Sequence, residues 1–327
     1  MKRALIVGVA GQDGSYLAEL LLKKEYQVYG VVRRHNGNTY WRLAGILDSL
    51  KLIHGDLTDP ISLEYALERS RPDEIYNLAS QSHVGQSFTM PLATIQSTGM
   101  GAIHLFEAIR QHAPLARVYQ ASSSEQFGKT AGVNPPTLNV TPMLPCSPYG
   151  CAKLLAHQAA GMYREAYDLR IACGVAFNHE SERRGEEFVT RKITKAAARI
   201  KHGLQHVLRL GSLAVSRDWS YAPDVMAAAW RMLQCPEPRD YILASGETHT
   251  LEEFLTIAFS HIDLNYSSYV VEDHSYVRPL DVSCLKANPQ PAIDDGIWQP
   301  TVGFQELVIR MVEADLAALN HRPLQTA

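Results

Sequence analysis

The stretch "RALIVGVAGQDGSYLAELLL", residues 3–22, joins a run of branched apolar residues to a helical pattern through a glycine-rich turn. Gly8, Gly11 and Gly14 have the spacing G-x-x-G-x-x-G, which permits a tight turn and lets backbone N–H groups approach a pyrophosphate at a helix N-terminus. Such glycines also occur in ordinary turns. Because they lie here between a predicted strand and a predicted helix, the stretch predicts a dinucleotide-binding site.

The rest of the first half repeats this alternation of short β-rich runs and helical stretches. The predicted strands are residues 3–8, 27–32, 50–55, 73–79, 116–122 and 170–178, and the predicted helices include residues 14–24, 60–70 and 99–111. The alternation favours an α/β fold with a doubly wound parallel Rossmann sheet. We expect an NADP-binding Rossmann domain over residues 1–178 and a smaller C-terminal substrate-binding lobe over residues 179–320, from which one strand could return to the sheet. Residues 321–327 are expected to form a loose tail.

Composition excludes several classes of function. The 327 residues are 46% apolar and carry a net charge of −3, which is typical of a soluble globular protein and gives no reason to expect a nucleic-acid or membrane partner. The five cysteines are an odd set with no C-x-x-C pair. Such a set favours a reducing compartment, so we expect a cytoplasmic protein with neither a disulfide framework nor a bound metal.

The end of the second predicted strand bears on the choice of cofactor. An NAD-binding sheet usually has an acidic residue there to hold the ribose 2′-hydroxyl, whereas this chain has "VVRRHN", with Arg33 and Arg34. Paired guanidinium groups suit a 2′-phosphate, so we predict NADP; the alternative is a solvated strand end. Further cofactor contacts are expected after the third and fourth strands, from Asp56, Leu57, Leu78, Ala79 and Ser80.

Two further segments carry candidate catalytic residues. The fifth predicted strand ends in "QASSSEQFG", so Ser123 and Glu125 arrive at the carboxyl edge of the sheet, where ligands bind. "SPYGCAK" has Tyr149 and Lys153 one helical turn apart on one face. A lone pair of this kind usually lies on an ordinary solvated helix face. After a Rossmann pattern, it predicts that Lys153 lowers the pKa of the Tyr149 phenol, which then serves as a base for a hydroxyl proton, and that Lys153 holds the nicotinamide ribose.

Taken together, these features resemble the extended short-chain dehydrogenase/reductase family, which combines an N-terminal G-x-x-G-x-x-G, a serine or threonine after the fifth strand and Y-x-x-x-K. The resemblance narrows to the GDP-mannose 4,6-dehydratases. Segments similar to that family recur in order over roughly residues 3–310 and include "GDLTD", "PDEIYNLASQSHVGQSF", "YQASSSEQFGK", "FNHESERRGEEFVTRKIT" and "SRDWSYAPD". A resemblance of this length is much more specific than a shared fold.

The resemblance implies a hydro-lyase that converts GDP-mannose to GDP-4-keto-6-deoxymannose without net redox change. Tyr149 would take the proton from the sugar O4 while C4 passes a hydride to NADP. The 4-keto group then acidifies the C5–H, which Glu125 would deprotonate. Water leaves from C6 with either Glu125 or Ser123 as the acid, and the hydride returns to C6.

The resemblance also assigns binding residues. The cofactor set adds Gln12, Asp13, Ser82, His179 and Arg184 to the residues above, and includes Tyr149 and Lys153. The substrate set comprises Ser82, Ser123, Glu125, Asn178, Val189, Lys192, Arg217 and Arg278. Arg217 and Arg278 are suited to clamp a diphosphate bidentately. Arg183 and Arg191 lie in the same donor-rich segment as Lys192, and we expect them to favour an anionic ligand.

Three positions depart from the family pattern. Ser123 stands where the family usually has threonine, Asp281 where it has glutamate, and Ala93 or Leu92 where a tyrosine near the cofactor is common. The serine keeps the hydroxyl donor, so the chemistry remains expected, while GDP-heptose or another GDP-hexose is an alternative to GDP-mannose. A nucleotide-sugar 4-epimerase or reductase is a second alternative, against which Glu125 argues. A catalytically silent NADP-binding regulator is the third, and the intact candidate catalytic residues disfavour it.

Assembly is the last prediction from the sequence. The connection after the second strand, residues 33–51, is longer than a typical βα loop, is basic and contains Tyr40 and Trp41, which we expect to be exposed. Its resemblance to the corresponding dehydratase segment implies that it reaches the cofactor site of a neighbouring subunit in a dimer of dimers; the alternative is an adenine-side loop in a plain dimer. A dimer through helices at 90–110 and 149–167 is common to the wider family, so we predict at least a homodimer.

Overall fold

Seven parallel strands form the central sheet of the protein in a computed structural model. The structure describes residues 1–34, 40–132, 134–276, 279–280, 282 and 284–320. In chain order, the strands are β1 Arg3–Val7, β2 Gln27–Val32, β3 Lys51–His54, β4 Glu74–Asn77, β5 Arg117–Ser123, β6 Arg170–Ala176, β7 Asn178–Glu180, β8 Leu208–Leu210, β9 Ser216–Arg217, β10 Trp219–Tyr221, β11 Tyr241–Leu243, β12 His249–Thr250, β13 Val270–Glu272 and β14 Cys284–Leu285. The sheet order is β11-β6-β5-β4-β1-β2-β3.

Helices connect these strands. In chain order, they are α1 Gln12–Lys23, α2 Pro60–Ser70, α3 Val84–Ser87, α4 Pro91–Thr94, α5 Gly101–His112, α6 Pro148–Tyr167, α7 Val189–Lys201, α8 Ala222–Met232, α9 Leu251–Ser260, α10 Gln290–Asp294 and α11 Phe304–Asn320. A π-helical stretch, Ile95–Met100, joins α4 to α5. The strands and helices predicted for the first half differ from these bounds by no more than two residues at any end.

The strand order changes direction between β1 and β4. β2 and β3 extend the sheet on one side of β1, and β4, β5 and β6 extend it on the other. At such a switch point the loops that follow the two strands diverge, so a crevice opens beyond the carboxyl ends of the strands. The predicted fold class, an α/β fold with a doubly wound parallel sheet, is confirmed.

Helices cover both faces of the sheet because successive strand residues point to opposite sides. Leu5 and Ile6 are neighbours in β1 and belong to different buried clusters. Ile6 packs in the cluster that contains Leu17 of α1, and Leu5 packs in the cluster that contains Phe106 of α5. The sheet is therefore buried on both faces, which leaves its ends as the places where a polar site can meet solvent.

Two elements from the second half of the chain also belong to this layer. β11 pairs with β6 and becomes the seventh strand, and α8 packs against α1. The returning strand that the sequence left open is thus present. The division of the chain at residue 178 stays a prediction, and residues 321–327 lie outside the described residues.

The second lobe is built on α7, α9 and α11. Its buried core contains Trp219, which stacks on Phe304 with ring centroids 5.6 Å apart. Arg191 of α7 and Asp315 of α11 form a buried ion pair at 2.8 Å. In the described part of the chain, no helix is both long and apolar enough to cross a bilayer.

The start of α6 is fixed by local chemistry. The hydroxyl of Ser147 accepts a hydrogen bond from the N–H of Gly150 at 3.0 Å, and Pro148 occupies the first helical position. A serine cap followed by proline is a strong helix start. The serine hydroxyl accepts a hydrogen bond from a first-turn N–H group, and proline has no N–H group to leave unpaired. With the first residue of α6 fixed, Tyr149 and Lys153 lie on successive turns of one helix face.

Candidate active site

One large cavity lies beyond the carboxyl ends of the strands, between the sheet and the second lobe. Its volume of about 1630 Å³ exceeds that of a typical pocket for one small molecule, so it has room for a dinucleotide and a nucleotide sugar together. From the predicted cofactor set, it is lined by Gly8, Gly11, Gln12, Asp13, Gly14, Arg33, Asp56, Leu57, Leu78, Ala79, Ser80, Ser82, Tyr149, Lys153, His179 and Arg184. From the predicted catalytic and substrate sets, it is lined by Ser82, Ser123, Glu125, Asn178, Val189, Lys192 and Arg217.

The glycine turn fits a pyrophosphate. Gly8 has a φ of +90°, and a Cβ at this position would lie 2.9 Å from the backbone nitrogen of Ala79, so only glycine is accommodated. α1 follows Gly11 as its N-cap, without a side-chain cap. The first-turn N–H groups of α1 can therefore bind an anion, which the helix dipole also favours.

Asp13 and His179 form an ion pair beside this turn. Nε2 of His179 lies 2.9 Å from Oδ2 of Asp13. Burial opposes ionisation of Asp13, but the charge and hydrogen bond of His179 outweigh it and lower the pKa of Asp13 to about 2. Burial likewise disfavours the charged form of His179, and Asp13 reverses this, so the pKa of His179 is raised. The pair therefore links α1 to β7, and both of its residues line the cavity.

Tyr149 is buried at the start of α6, and its hydroxyl interacts with Ser123. Burial raises the pKa of Tyr149 to about 12, and the hydrogen bond with Ser123 offsets this only in part. The ammonium of Lys153 lies 5.8 Å from the centroid of the Tyr149 ring and donates to the carbonyl oxygen of Ala121 at 2.8 Å. The prediction that Lys153 lowers the pKa of the phenol is therefore wrong for this arrangement, because loss of hydration dominates.

Lys153 is affected by burial in the opposite direction. An ammonium that loses its water is destabilised relative to the neutral amine, and burial lowers the pKa of Lys153 to about 8. With this pKa, Lys153 is still mainly a cation near neutral pH, and its hydrogen bond to Ala121 holds that charge at the end of β5.

Glu125 lies on a 3-10 turn, Ser124–Gln126, that directly follows β5. Its backbone N–H donates to the hydroxyl of Ser123 at 3.3 Å. The turn packs closely on α6 at Gly150, where a Cβ would lie 2.7 Å from the carbonyl oxygen of Glu125. Ser123, Glu125, Tyr149 and Lys153, the catalytic group, are thereby brought together at the end of β5. The group offers two separate bases, a phenol and a carboxylate.

The second lobe supplies cations on the other side of the cavity. Arg217 is buried in β9 and donates to the carbonyl oxygen of Ser216 at 2.9 Å. Lys192 donates to the carbonyl oxygen of Arg209 at 2.7 Å, and its ammonium lies 4.0 Å from the centroid of the Tyr276 ring. Both cations are held at the wall, where they can bind a diphosphate. Arg278 and Asp281 lie outside the described residues.

Two arginines of the donor-rich segment after β6 do not line the cavity. Arg183 forms an ion pair with Glu19 of α1, and Arg191 pairs with Asp315 of α11. The expectation that both contribute to an anion site is wrong, because each is bound to an acid that is distant in the sequence. Arg184 does line the cavity, as predicted.

The two predicted 2′-phosphate ligands differ in position. Both side chains are exposed, but Arg33 lines the cavity, whereas Arg34 is not among the described lining residues. Arg42, which the sequence analysis missed, also lines the cavity, and its Nε donates to the carbonyl oxygen of Arg183 at 2.7 Å. The signal for Arg42 was its place in the basic connection after β2.

This connection is only partly described, since residues 35–39 lie outside the described residues. Trp41 is 49% exposed. Tyr40 packs against the core on the α1 face of the sheet and is only half-exposed, so the expectation of an exposed Tyr40 is wrong. The Tyr40 ring is partly buried because it packs against this cluster.

The loop after β4 contributes more than sequence reasoning found. Gln81 and His83 line the cavity beside Ser82. The N–H of Gln81 donates to the hydroxyl of Thr98 at 3.1 Å, and Nε2 of His83 lies 3.2 Å from the carbonyl oxygen of Glu187. The loop is therefore fixed both to the π-helical stretch and to the second lobe. Gln81 and His83 belong to the segment "SQSHVGQSF", which the sequence analysis had matched to the family without naming them as site residues.

A tyrosine and a lysine one turn apart on the helix that faces the end of β5 assign the enzyme to the short-chain dehydrogenase/reductase class, which builds its redox site on a Rossmann sheet in this manner. The family model described as GDP-mannose 4,6 dehydratase matches residues 5–311. The chain belongs to the GDP-mannose 4,6-dehydratase family. The resemblance inferred from the sequence motifs is confirmed.

Curated relatives agree over nearly the whole chain. "GDP-mannose 4,6 dehydratase 1" of Arabidopsis thaliana is 46% identical over 327 residues, which cover 96% of this chain and 90% of that protein. "GDP-mannose 4,6 dehydratase" of Homo sapiens is 40% identical, with 98% of this chain and 93% of that protein covered. The similarity therefore extends over both the sheet and the second lobe.

Among solved structures, the UDP-glucose 4-epimerase of Thermus thermophilus in complex with NAD is similar, with a TM-score of 0.84 and 25% identity over 97% of this chain and 99% of that chain. The dTDP-glucose 4,6-dehydratase of Bacillus anthracis str. Ames has a TM-score of 0.84 at 18% identity, with 98% of each chain covered. At 18% identity, the similarity to the dTDP-glucose 4,6-dehydratase shows a shared fold only.

Proposed function

We propose that the protein is a nucleotide-sugar 4,6-dehydratase, a hydro-lyase that converts GDP-mannose to GDP-4-keto-6-deoxymannose and water. Family membership supports this reaction. The observation that carries it is the presence of Glu125 beside Tyr149 in one cavity, because the reaction removes two different protons and needs two bases. The glycine turn and the residues after β4 would hold a nicotinamide dinucleotide, which would supply reversible hydride transfer between C4 and C6 with no net change in its redox state.

Tyr149 takes the proton of the sugar O4 in the first step. Burial raises the pKa of Tyr149 to about 12, so the phenol must lose its own proton before it acts as the base. The ammonium of Lys153 lies 5.8 Å from the centroid of the Tyr149 ring, and a positive charge so close favours the phenolate form. Ser123 holds the same sugar oxygen through its hydroxyl.

Glu125 acts in the second step. The C4 ketone acidifies the C5–H, and the Glu125 carboxylate removes that proton. The proton taken from C5 goes to the departing C6 hydroxyl, either directly from Glu125 or through Ser123, and water leaves. The proton that Tyr149 took from O4 is then given to C5 as a hydride is added at C6. Glu125 is half-buried on the cavity wall, where it can reach the sugar and still exchange a proton.

The cofactor in this proposal is NADP. Arg33 and Arg42 line the cavity beyond the ends of β2 and offer two guanidinium groups for a 2′-phosphate. Extracting the cofactor from denatured protein purified without added nucleotide should yield NADP. Arg33→Ala should weaken NADP binding about tenfold and leave NAD binding unchanged. Recovery of NAD from the wild-type protein would contradict the assignment.

A substrate panel tests the proposed function. The purified protein is incubated separately with GDP-mannose, GDP-heptose and UDP-glucose, and each product is examined by mass spectrometry for loss of one water. We expect loss of water from GDP-mannose. Loss from GDP-heptose alone would keep the reaction and change the sugar, and a product of unchanged mass would instead indicate an epimerase.

The protein is also proposed to be a cytoplasmic homo-oligomer with at least two subunits. Exposed apolar side chains lie on the helices expected to pair, including Leu92, Ile95 and Met100 on the first helical run and Leu155 and Met162 on α6. Light scattering on the wild type and on Arg34→Ala, Trp41→Ala protein separates the alternatives. A tetramer that falls to a dimer supports a role for the 33–51 connection, and a wild-type dimer excludes it.

A further inference from the structure

Three side chains on one face of α6 contact the last three residues of β5. Tyr149 interacts with Ser123, and Lys153 donates to the carbonyl oxygen of Ala121 at 2.8 Å. One turn further on, Nδ1 of His157 lies 3.0 Å from the hydroxyl of Ser122. The first two contacts belong to the catalytic group. The third does not, since His157 is not among the described residues that line the cavity.

The contact between His157 and Ser122 is closed off from solvent. His157 is 8% exposed and Ser122 is 5% exposed. Ser122 lies between Ala121 and Ser123, the two residues of β5 that contact Lys153 and Tyr149. A hydrogen bond at Ser122 therefore fixes the strand segment that carries both Ser123 and the carbonyl group that binds Lys153.

Two further polar side chains, Cys173 and Asp240, lie close to His157. The ligand atoms of His157, Cys173 and Asp240 all lie within 4.8 Å of one another. Arg164, also on α6, binds both carboxylate oxygens of Asp240 at 2.9 and 3.1 Å. The backbone N–H of Cys173 donates to the same carboxylate at 2.7 Å. α6 is thus locked to β6 and to the start of β11 on the far side of His157.

His, Cys and Asp are also the donor types of a zinc site, but the contacts here argue against one. The carboxylate of Asp240 is already neutralised by Arg164 and accepts three hydrogen bonds. A divalent cation would lie next to the guanidinium and would have to displace it. The arrangement is better explained as a brace made of hydrogen bonds.

We propose that His157 is a positioning residue for the dehydratase reaction, acting through Ser122 to hold Ser123 and the carbonyl oxygen of Ala121 in register with Tyr149 and Lys153. Small displacements of a catalytic group lower the rate steeply, since the reacting atoms must be aligned. Loss of the His157 contact lets the end of β5 shift relative to α6. The cations proposed to bind the diphosphate, Lys192 and Arg217, lie on the second lobe away from β5, so we expect the change to fall mainly on kcat and only slightly on KM.

The test uses four variants and one control variant of the full-length protein, and it rests on the proposed function for its assay. His157→Leu and Ser122→Ala should each lower kcat about tenfold, with KM changed less than twofold. The double variant should be no slower than either single variant, because both remove one hydrogen bond. His157→Gln, which keeps a polar partner for Ser122, should recover most of the rate. His112→Leu, the same substitution at the solvent-facing end of α5, is the control and should keep the wild-type kcat.

The assay uses whichever nucleotide sugar the wild type dehydrates, so a different substrate leaves the test intact. If none is turned over, the imidazole proton resonance of His157 reads the contact directly and should shift in Ser122→Ala protein. Wild-type kcat in His157→Leu, additive losses in the double variant, or an unshifted resonance would overturn the proposal. Stoichiometric zinc in the purified protein that is lost in Cys173→Ser would also overturn it.

Discussion

Two buried polar groups lie at opposite ends of the central sheet and use the same residue types. At the amino end, Glu74 of β4 accepts hydrogen bonds from Lys2 at 2.9 Å, Tyr26 at 3.0 Å and Tyr76 at 2.7 Å. At the carboxyl end, the catalytic group also combines a glutamate, a tyrosine and a lysine. The four residues of the Glu74 group do not line the cavity, whereas every member of the catalytic group does.

The Glu74 group and the catalytic group differ in whether a ligand can reach them. In the Glu74 group, the hydroxyl of Tyr76 is fully committed to the carboxylate, and burial raises the pKa of Tyr76 well above its ordinary value. In the catalytic group, Tyr149 shares its hydroxyl with Ser123 at the edge of open space. Identical side chains therefore stabilise the fold at one end and are available for proton transfer at the other.

The largest expected effect is at Tyr149. Tyr149→Phe should lower kcat by about 10³-fold or more, because it removes the proposed base for the O4 proton. The rate is measured as the single-turnover appearance of reduced nicotinamide. Tyr76→Phe is the matched control, since it removes the corresponding hydroxyl from the Glu74 group and should keep kcat while losing about 1 kcal/mol of stability. Equal losses of activity in both variants would contradict the proposed division of roles between the two groups.

Glu125→Gln should lower formation of the 6-deoxy product by about 10²-fold, because the C5 base is lost. The first step should survive, so reduced nicotinamide and a 4-keto sugar that retains its C6 hydroxyl should accumulate. Rapid quench followed by mass spectrometry detects both. Normal release of the 6-deoxy product would show that a different residue removes the C5 proton.

The opposite pattern is expected for Glu74→Gln. The neutral amide cannot pair with Lys2 and offers poorer acceptors to the two tyrosines, so the free energy of unfolding should fall by about 2 kcal/mol. Urea denaturation measures this loss. Because the site is at the far end of the sheet, kcat should remain within about twofold of the wild type. A strong loss of kcat in folded protein would mean that the two ends are coupled.

The smallest effect concerns the Asp13–His179 pair and depends on pH. The pKa of His179 is raised, so its contribution to stability is fully present below its ordinary value of 6.5 and is lost as the pH rises through the folded value. Asp13, with a pKa lowered to about 2 from 3.8, contributes above 3.8 and loses that contribution as the pH falls to 2. His179→Gln should therefore cost about 1 kcal/mol near pH 5 and less at pH 9. A cost independent of pH would show that the pair is not ionised.

Much of the fold and of the site was predictable because it depends on local chemistry. The glycine turn and the strand–helix alternation identify the sheet. Because parallel strands present their carboxyl ends at one edge, the order of segments along the chain brings Ser123, Tyr149 and Lys153 together. The serine–proline start of α6 then determines which helix face the tyrosine occupies.

What could not be predicted depends on partners far apart in sequence. Arg183 and Arg191 looked like anion ligands until Glu19 and Asp315, which are about 120 residues or more away, were seen to bind them. The pKa of Tyr149 depends on burial by the assembled fold, which no spacing reveals. Arg42 was missed because a loop gives no periodic signal of which side chains face inward.

The seventh strand has a consequence for synthesis of the protein. β11 completes the edge of the sheet and α8 covers α1, yet both emerge from the ribosome only after β6 and the first part of the second lobe. Until then, β6 presents unpaired backbone groups and the α1 face of the nascent sheet lacks its contact with α8, which are features that recruit other chains and cause aggregation. A ribosome stalled before residue 243 should thus hold a chain that depends on chaperones, and a gene fragment that ends at residue 178 should yield insoluble protein.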